Sequence, residues 1–286
     1  MNPERPNVFD RVVVGMDGSE RAEEAVGRAV QLASLTGASL DLVYVIDTNR
    51  PFSDAEVEPK AEAALEKGEA IASKAGVSLS SKVVAGQPAE ALLEEAAARH
   101  AADLICVGTD AGFLGGTLHV GRVATNVLRH APCSVMVGRE AGPSFPQSML
   151  CGVDGSDGSV EAAGLAARIA VAADPELRLH HVTPIFAGDE REWTLDDAEP
   201  DPIEIESAAQ AARTAGVRPI RERALGRPEY AILETAEREG VDLVVVGSRG
   251  LSGLARVLLG SVSEYVASHA HCSVLVGRPG AARHER

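Results

Sequence analysis

The chain repeats itself. Gly108 and Gly247 lie 139 positions apart, and the same offset separates Gly121 from Gly260 and Cys133 from Cys272. VVVGMDGS (Val12 to Ser19) returns as MLCGVDGS (Met149 to Ser156), AGQPAEALLEEA (from Ala85) as LGRPEYAILETA (from Leu225), and RHAPCSVMVG (from Arg129) as SHAHCSVLVG (from Ser268). A period of this length is the size of an ordinary domain, so the 286 residues read as two copies of one unit. The Pro/Gly/Ser-containing stretch AGPSFPQS, Ala141 to Ser148, is the expected linker. Domains are expected over 1–140 and 148–280.

Within the first copy, Arg11 to Met16 reads as a buried strand. Ser19 then caps an alanine-rich helix that reaches Thr36 and stops at Gly37. A second strand is expected over Ser39 to Ile46, a polar loop over Asp47 to Pro59, and a charged amphipathic helix over Lys60 to Lys74. Val77 to Ala85, less purely apolar, reads as a third strand nearer an edge. A helix follows with Pro88 in its first turn. Ala102 to Gly108 is the fourth strand, the segment after Gly121 a helix, and Cys133 to Gly138 the fifth strand.

Strands alternating with helices, several of them apolar throughout, imply parallel strands covered on both faces. Right-handed crossovers then predict an α/β unit with an open sheet of five parallel strands in the order 3-2-1-4-5. Its switch point falls between strands 1 and 4. Ligands of such sheets sit at the carboxyl ends of the strands flanking the switch, which places Asp17 and Gly108 of one copy, and Asp154 and Gly247 of the other, at a common crevice.

One stretch of the second copy carries ligand chemistry. In VVVGSRGLSGLARVLLGSVS, Val244 to Ser263, an apolar run ends at Gly247, a glycine-punctuated loop follows, and Gly260 opens a helical segment. Gly247 and Gly250 let a ligand approach the main chain. Free N–H groups at the helix start attract an anion, and Ser261 and Ser263 add hydroxyls. No Gly-Lys-Ser/Thr stands at P-loop spacing, so this phosphate cradle is of another kind.

The spacing Gly247, two residues, Gly250, nine residues, Gly260-Ser261 resembles the ATP-binding signature of the universal stress protein family, and the resemblance covers nearly the whole chain as a tandem pair. It implies two Rossmann-like, adenine nucleotide α-hydrolase-like domains that bind ATP, with magnesium, or a related adenine nucleotide, with little or no hydrolysis, in stress response. Carried onto the second copy, it implies that Asp154 meets the ribose or adenine and that Val182 offers backbone to the adenine. Val246 and Gly247 would line base and sugar, Arg249 and Gly250 would border the phosphates, and Gly260, Ser261, Val262 and Ser263 would hold them. An aspartate in such a turn also serves as a plain helix cap. The resemblance further implies that two units join through their short apolar fifth strands, as a pseudo-dimer within one chain that dimerises again.

The first copy departs from that pattern. Asp17, Val45, Val107, Gly108 and Gly121 match, but Ala111 stands where the second glycine belongs and Arg122 replaces the serine after the third. Ala111 would crowd the phosphate turn and Asp110 would repel phosphate, whereas Arg122 could pair with a phosphate through its planar fork. Alternatively, Arg122 is an ordinary exposed first-turn arginine.

Composition removes other function classes. A net charge of −15 and a pI near 5.0 oppose a nucleic-acid or anionic-membrane surface, and 3% aromatic residues leave little for base stacking. No signal-type apolar run opens the sequence and nowhere do about 18 apolar residues follow one another, so a soluble, cytoplasmic protein is expected. Cys106, Cys133, Cys151 and Cys272 form no CxxC pair and read as small buried hydrophobes. No Gly-x-Ser-x-Gly or HExxH motif appears. His180-His181 lacks a metal partner, and His130 and His269 occupy equivalent helix ends. A binding protein, not an enzyme, is expected: a nucleotide-dependent regulatory module with an unknown protein partner or, alternatively, an interaction scaffold without ligand control. A hydrolase on the same sheet would need a catalytic constellation that the sequence does not display.

Overall fold

A computed structural model describes residues 8–49, 54–98, 102–109, 113–114, 117–118, 120–139, 142–184, 203–248 and 259–278. Two compact units divide the chain, one ending at Phe145 and the other spanning Pro146–Arg278.

In unit 1 the order is β1 (Arg11–Met16), α1 (Glu20–Thr36), β2 (Ser39–Asp47), α2 (Asp54–Lys74), β3 (Leu79–Gly86), α3 (Pro88–Ala97), β4 (Leu104–Val107), a short antiparallel pair β5 (Phe113–Leu114) and β6 (Thr117–Leu118), α4 (Arg122–His130) and β7 (Ser134–Val137). The main strands are all parallel, in the order β3-β2-β1-β4-β7. Unit 2 follows with β8 (Ser148–Val153), α5 (Asp157–Ala173), β9 (Glu176–Pro184), α6 (Ile203–Thr214), β10 (Ile220–Gly226), α7 (Pro228–Arg238), β11 (Leu243–Gly247), α8 (Ser261–His269) and β12 (Ser273–Gly277). Its strands are parallel in the order β10-β9-β8-β11-β12. Each unit therefore has the predicted 3-2-1-4-5 sheet.

Local chemistry sets the element ends. Ser19 caps α1 by accepting from the Ala22 N–H, and Gly37 closes it at φ 81°, a left-handed conformation natural to glycine. Ser156 caps α5 in the same way, accepting from Ser159. A repeated carboxylate joins strand starts: Asp103, before β4, accepts from the Asp10 and Arg11 N–H groups at 2.6 and 2.9 Å. Asp242, its counterpart before β11, accepts from Gln147 and Ser148 at 2.9 and 3.2 Å. Apolar β1, β4, β8 and β11 fill the core, whereas β3 alternates half-buried with exposed residues, as an outer strand should.

One expectation needs correction. Helix α2 begins at Asp54 instead of near Lys60 and carries Pro59 inside it. Pro59 lies in the second turn, where its missing N–H removes one i→i−4 bond, and buried Ala61, Ala64 and Ala72 anchor the helix beyond it. The boundary between the units, between Phe145 and Pro146, falls inside the expected linker stretch, part of which packs onto unit 1. Phe145 is buried with the Arg28 guanidinium 5.3 Å from its ring centroid, while Arg28 Nη1 and Gln31 Nε2 donate to the Gly142 and Pro143 carbonyls at 3.2 and 2.9 Å.

Candidate functional site

The carboxyl ends of β8, β9 and β11 and the start of α8 enclose a cavity of about 240 Å³ in unit 2. Its β11 wall is Val246 and Gly247, its α8 rim Gly260 to Ser263, and its β8 side Gly152, Val153, Asp154 and Ser159. His180 and Val182 project from β9, and Pro228 and Ile232 of α7 close the side beyond them. Eight of the residues named for the second copy thus line one space. Arg249 and Gly250 lie outside the described residues, as do Asp110, Ala111 and the acidic loop around Trp193.

The rim is built by two ties. The loop that leaves β11 at Ser248 returns at Gly260, whose N–H donates to the Ser248 carbonyl at 2.8 Å. One turn on, Ser263 Oγ donates to the Gly247 carbonyl at 2.6 Å. That hydroxyl proton is committed within the protein, so toward a ligand Ser263 offers its main-chain N–H, and Ser261 is the exposed hydroxyl at the rim. Gly260 is the N-cap residue and has no side chain to bond the first turn of α8. The Ser261, Val262 and Ser263 N–H groups are the ones an α-helix leaves without intrahelical acceptors, and they form the anion-attracting end of α8.

Gly247 has a packing reason to be glycine besides ligand approach. A Cβ there would lie 2.7 Å from the carbonyl oxygen of Gly158 in the first turn of α5. A glycine at the end of β11 is required by the close approach of strand and helix. Gly108 repeats this in unit 1, where a Cβ would meet the Arg21 carbonyl oxygen at 2.5 Å.

Asp154 Oδ1 accepts from the Ser156 N–H and Oγ at 3.0 and 2.6 Å, forming an Asx turn ahead of α5. The helix cap itself is Ser156, so Asp154 is the carboxylate that shapes the turn at the cavity wall. Val182 lies where β9 overruns its neighbour: β8 ends at Val153, paired with His181, while β9 continues to Pro184 beside β10. The overrun opens the backbone of β9 on the β8 side. Unit 1 repeats the overrun at Val45, since β1 ends at Met16 opposite Tyr44. There Asp17 is exposed and accepts from the Ser19 N–H at 2.9 Å. Gly121 is the N-cap of α4 without a side-chain bond, and Arg122 is exposed in its first turn.

His180 is one of six cavity residues that motif spacing did not single out. Its side chain is 2% exposed, and neither ring nitrogen has a hydrogen-bond partner. Nδ1 is 3.6 Å from Glu222 Oε2. Burial lowers its pKa below the ordinary histidine value; the Glu222 carboxylate opposes this, and Arg238 and His181 add to the lowering. The available signal was its position two residues before Val182 on one strand face. His181 points to the other face, with Nδ1 3.0 Å from the Val153 carbonyl. His130 and His269 bond the helix carbonyls of Asn126 and Tyr265 at 2.9 and 2.8 Å. All four cysteines are buried and unbridged. Among the described residues no cluster of His, Cys, Asp and Glu could hold a metal ion, and no helix is long and apolar enough to cross a membrane.

Two parallel 3-2-1-4-5 sheets with helices between their strands define a tandem, Rossmann-like α/β protein. The chain belongs to the universal stress protein family, whose sequence model matches residues 9–139 and again 146–278. It is 37% identical over 142 residues to Universal stress protein MJ0531 of Methanocaldococcus jannaschii, covering 47% of this chain and 84% of that protein. To Universal stress protein YxiE of Bacillus subtilis it is 35% identical over 144 residues, covering 46% and 97%. The crystal structure of a universal stress protein from Archaeoglobus fulgidus superposes with a TM-score of 0.76 at 20% identity, over 94% of this chain and 98% of that one, a likeness of fold.

Proposed function

We propose that unit 2 binds an adenine nucleotide, ATP with magnesium, and that occupancy rather than turnover is its output. The observation that carries this reading is the uncapped amino terminus of α8, whose Ser261 to Ser263 line one cavity together with Asp154, Val182 and Gly247. Main-chain N–H groups of Ser261, Val262 and Ser263 would hold phosphate oxygens, and Arg249 and Gly250 would border them. Asp154 would meet the ribose, and the opened backbone at Val182 would meet the base. Unit 1 offers Asp17, Val45, Gly108, Gly121 and Arg122, with the guanidinium of Arg122 in place of the hydroxyl of Ser261. The protein acts as a cytoplasmic, homodimeric regulatory module in stress response, its ligand state read by a protein partner.

The test is mass spectrometry of the natively purified protein with acid release of small molecules, followed by Mg-ATP titration of the wild type, Gly260→Asp and Gly121→Asp. One adenine nucleotide per chain, lost in Gly260→Asp and kept in Gly121→Asp, supports a single site in unit 2. Two per chain adds unit 1. No nucleotide and no uptake of Mg-ATP overturns the reading and leaves a ligand-independent scaffold.

A further inference from the structure

The outer strand of unit 2 carries a charge that its counterpart in unit 1 lacks. Between positions 218 and 227 stand Arg218, Arg221, Arg223 and Arg227 against one carboxylate, Glu222, in a chain whose net charge is −15. On the repeat offset that matches Gly226 to Gly86, unit 1 has Ser78, Ser81, Val83 and Gln87 at those four places. Two strands of one topology fold with and without them, so the fold itself does not call for these arginines.

Strand β10 is an open edge. Among the described residues it pairs with β9 alone, from Ile220 to Gly226, so a row of its N–H and C=O groups points away from the sheet. Arg221 and Arg223 stand opposite Leu179 and His181, on the face away from Glu222, which turns toward Arg178 and His180. Arg218 and Arg221 are exposed, and Ile220 is 39% exposed. In unit 1 the 21-residue α2 packs on β3, whereas the 12-residue α6 packs on β8 and β9 and reaches β10 through Glu206, 2.9 Å from Arg221 Nη1. Glu206 is shared with Arg213, so its one carboxylate serves two arginines.

Like charge rejects a second copy's β10 laid against the first, a usual protection of sheet edges, and admits a strand of opposite sign. Carboxylates that recur at every second residue of an extended segment all stand on one face, with the same period as Arg221 and Arg223. We infer that β10 is a docking edge for an extended acidic segment of a partner protein, which adds a strand to the sheet by main-chain pairing. Main-chain bonds supply the affinity common to any strand, and the arginines supply the choice. This edge is separate from the cavity of unit 2, and its role stands whether or not that cavity takes a nucleotide.

The test measures binding of a fluorescein-labelled peptide of alternating threonine and glutamate to the intact chain by anisotropy, beside a counterpart with lysine for glutamate. Hydrogen exchange is followed along β10. The acidic peptide is expected to bind about tenfold or more tightly than the lysine one and to protect the amides of Ile220 to Gly226. Arg221→Gln combined with Arg223→Gln, its folding checked by thermal unfolding, should weaken binding about fivefold or more, the scale of two exposed ion pairs. An unchanged affinity overturns the inference. If that variant does not fold, the acidic peptide methylated at every main-chain nitrogen decides on the wild type: lost binding supports strand addition, and equal binding overturns it. No binding of the acidic peptide at millimolar concentration, or binding without protection of β10, overturns it as well. Equal displacement by a single-stranded oligonucleotide assigns the arginines to a polyanion, and protection of β10 that rises with protein concentration without peptide assigns the edge to a second copy; either result overturns the inference.

Discussion

Ser263 Oγ donates to the carbonyl oxygen of Gly247 at 2.6 Å, joining the first turn of α8 to the last residue of β11 across sixteen positions of sequence. The serine is 6% exposed, so the bond is shielded from water. Ser263→Ala leaves a shielded carbonyl without this donor, at a cost of about 1–3 kcal/mol. Urea unfolding is expected to show that loss in the transition of unit 2, and Ser263→Thr, which keeps a hydroxyl, should lose less.

Gly247 and Gly27 make a matched pair of opposite sign. A Cβ at Gly247 would sit 2.7 Å from a main-chain oxygen, which cannot swing aside as a side chain can. Gly247→Ala should destabilise by about 1–3 kcal/mol, the usual cost of overpacking. Gly27, inside α1, has nothing within 4 Å of the same construction. Gly27→Ala should stabilise by about 0.5–1 kcal/mol through helix propensity and a less flexible unfolded chain. Denaturant midpoints of the two variants check both signs.

These glycines also mark what the sequence could convey. The repeat offset and the alternation of strands with helices specified the 3-2-1-4-5 sheets because the inner strands carried their own apolar runs, and the Ser19 and Gly37 caps were written in residue type. The packing role of Gly247 was not legible, since that constraint comes from Gly158, nearly ninety positions earlier in the chain. The start of α2 was hidden because a proline reads as a stop, although the fold tolerates it within the first two turns. Phe145, inside a Pro/Gly-rich stretch, gave no local sign that Arg28 would cover it. The site divides in the same way. Its glycines and serines stood in a motif, whereas His180 became interpretable only once strand pairing set it opposite Glu222 and placed it on the face of Val182.

The thiols are expected to be inert in the native protein. Cys106 and Cys151 are fully buried, and burial pushes both thiols up to about 12. Cys133 and Cys272 are 2% and 9% exposed. An aromatic disulfide reagent at pH 8 should therefore label far less than one thiol per chain over minutes, and all four after unfolding in guanidinium. Rapid native labelling of Cys106 or Cys151 would contradict their burial.

Acid should weaken the two units in separate windows. His180 has a folded-state pKa below the ordinary 6.5, so below pH 6.5 the unfolded chain binds a proton that the folded chain refuses. Stability from this residue is complete above 6.5 and falls as pH drops from there toward the lower folded value. Asp41 behaves likewise at lower pH. Burial raises its pKa, but hydrogen bonds from Ser80 and Arg11 and the charges of Arg11 and Lys82 outweigh burial and bring it below 3.8. Its contribution to unit 1 is complete above 3.8 and is lost as pH falls through the lower folded value. Denaturation midpoints measured from pH 8 to pH 3 for the wild type, His180→Leu and Asp41→Asn separate the two. His180→Leu should flatten the decline that begins near 6.5 and leave the low-pH decline in place. Asp41→Asn should do the reverse, and equal slopes for His180→Leu and the wild type between pH 7 and 5 would show that the imidazole is not held neutral by the fold.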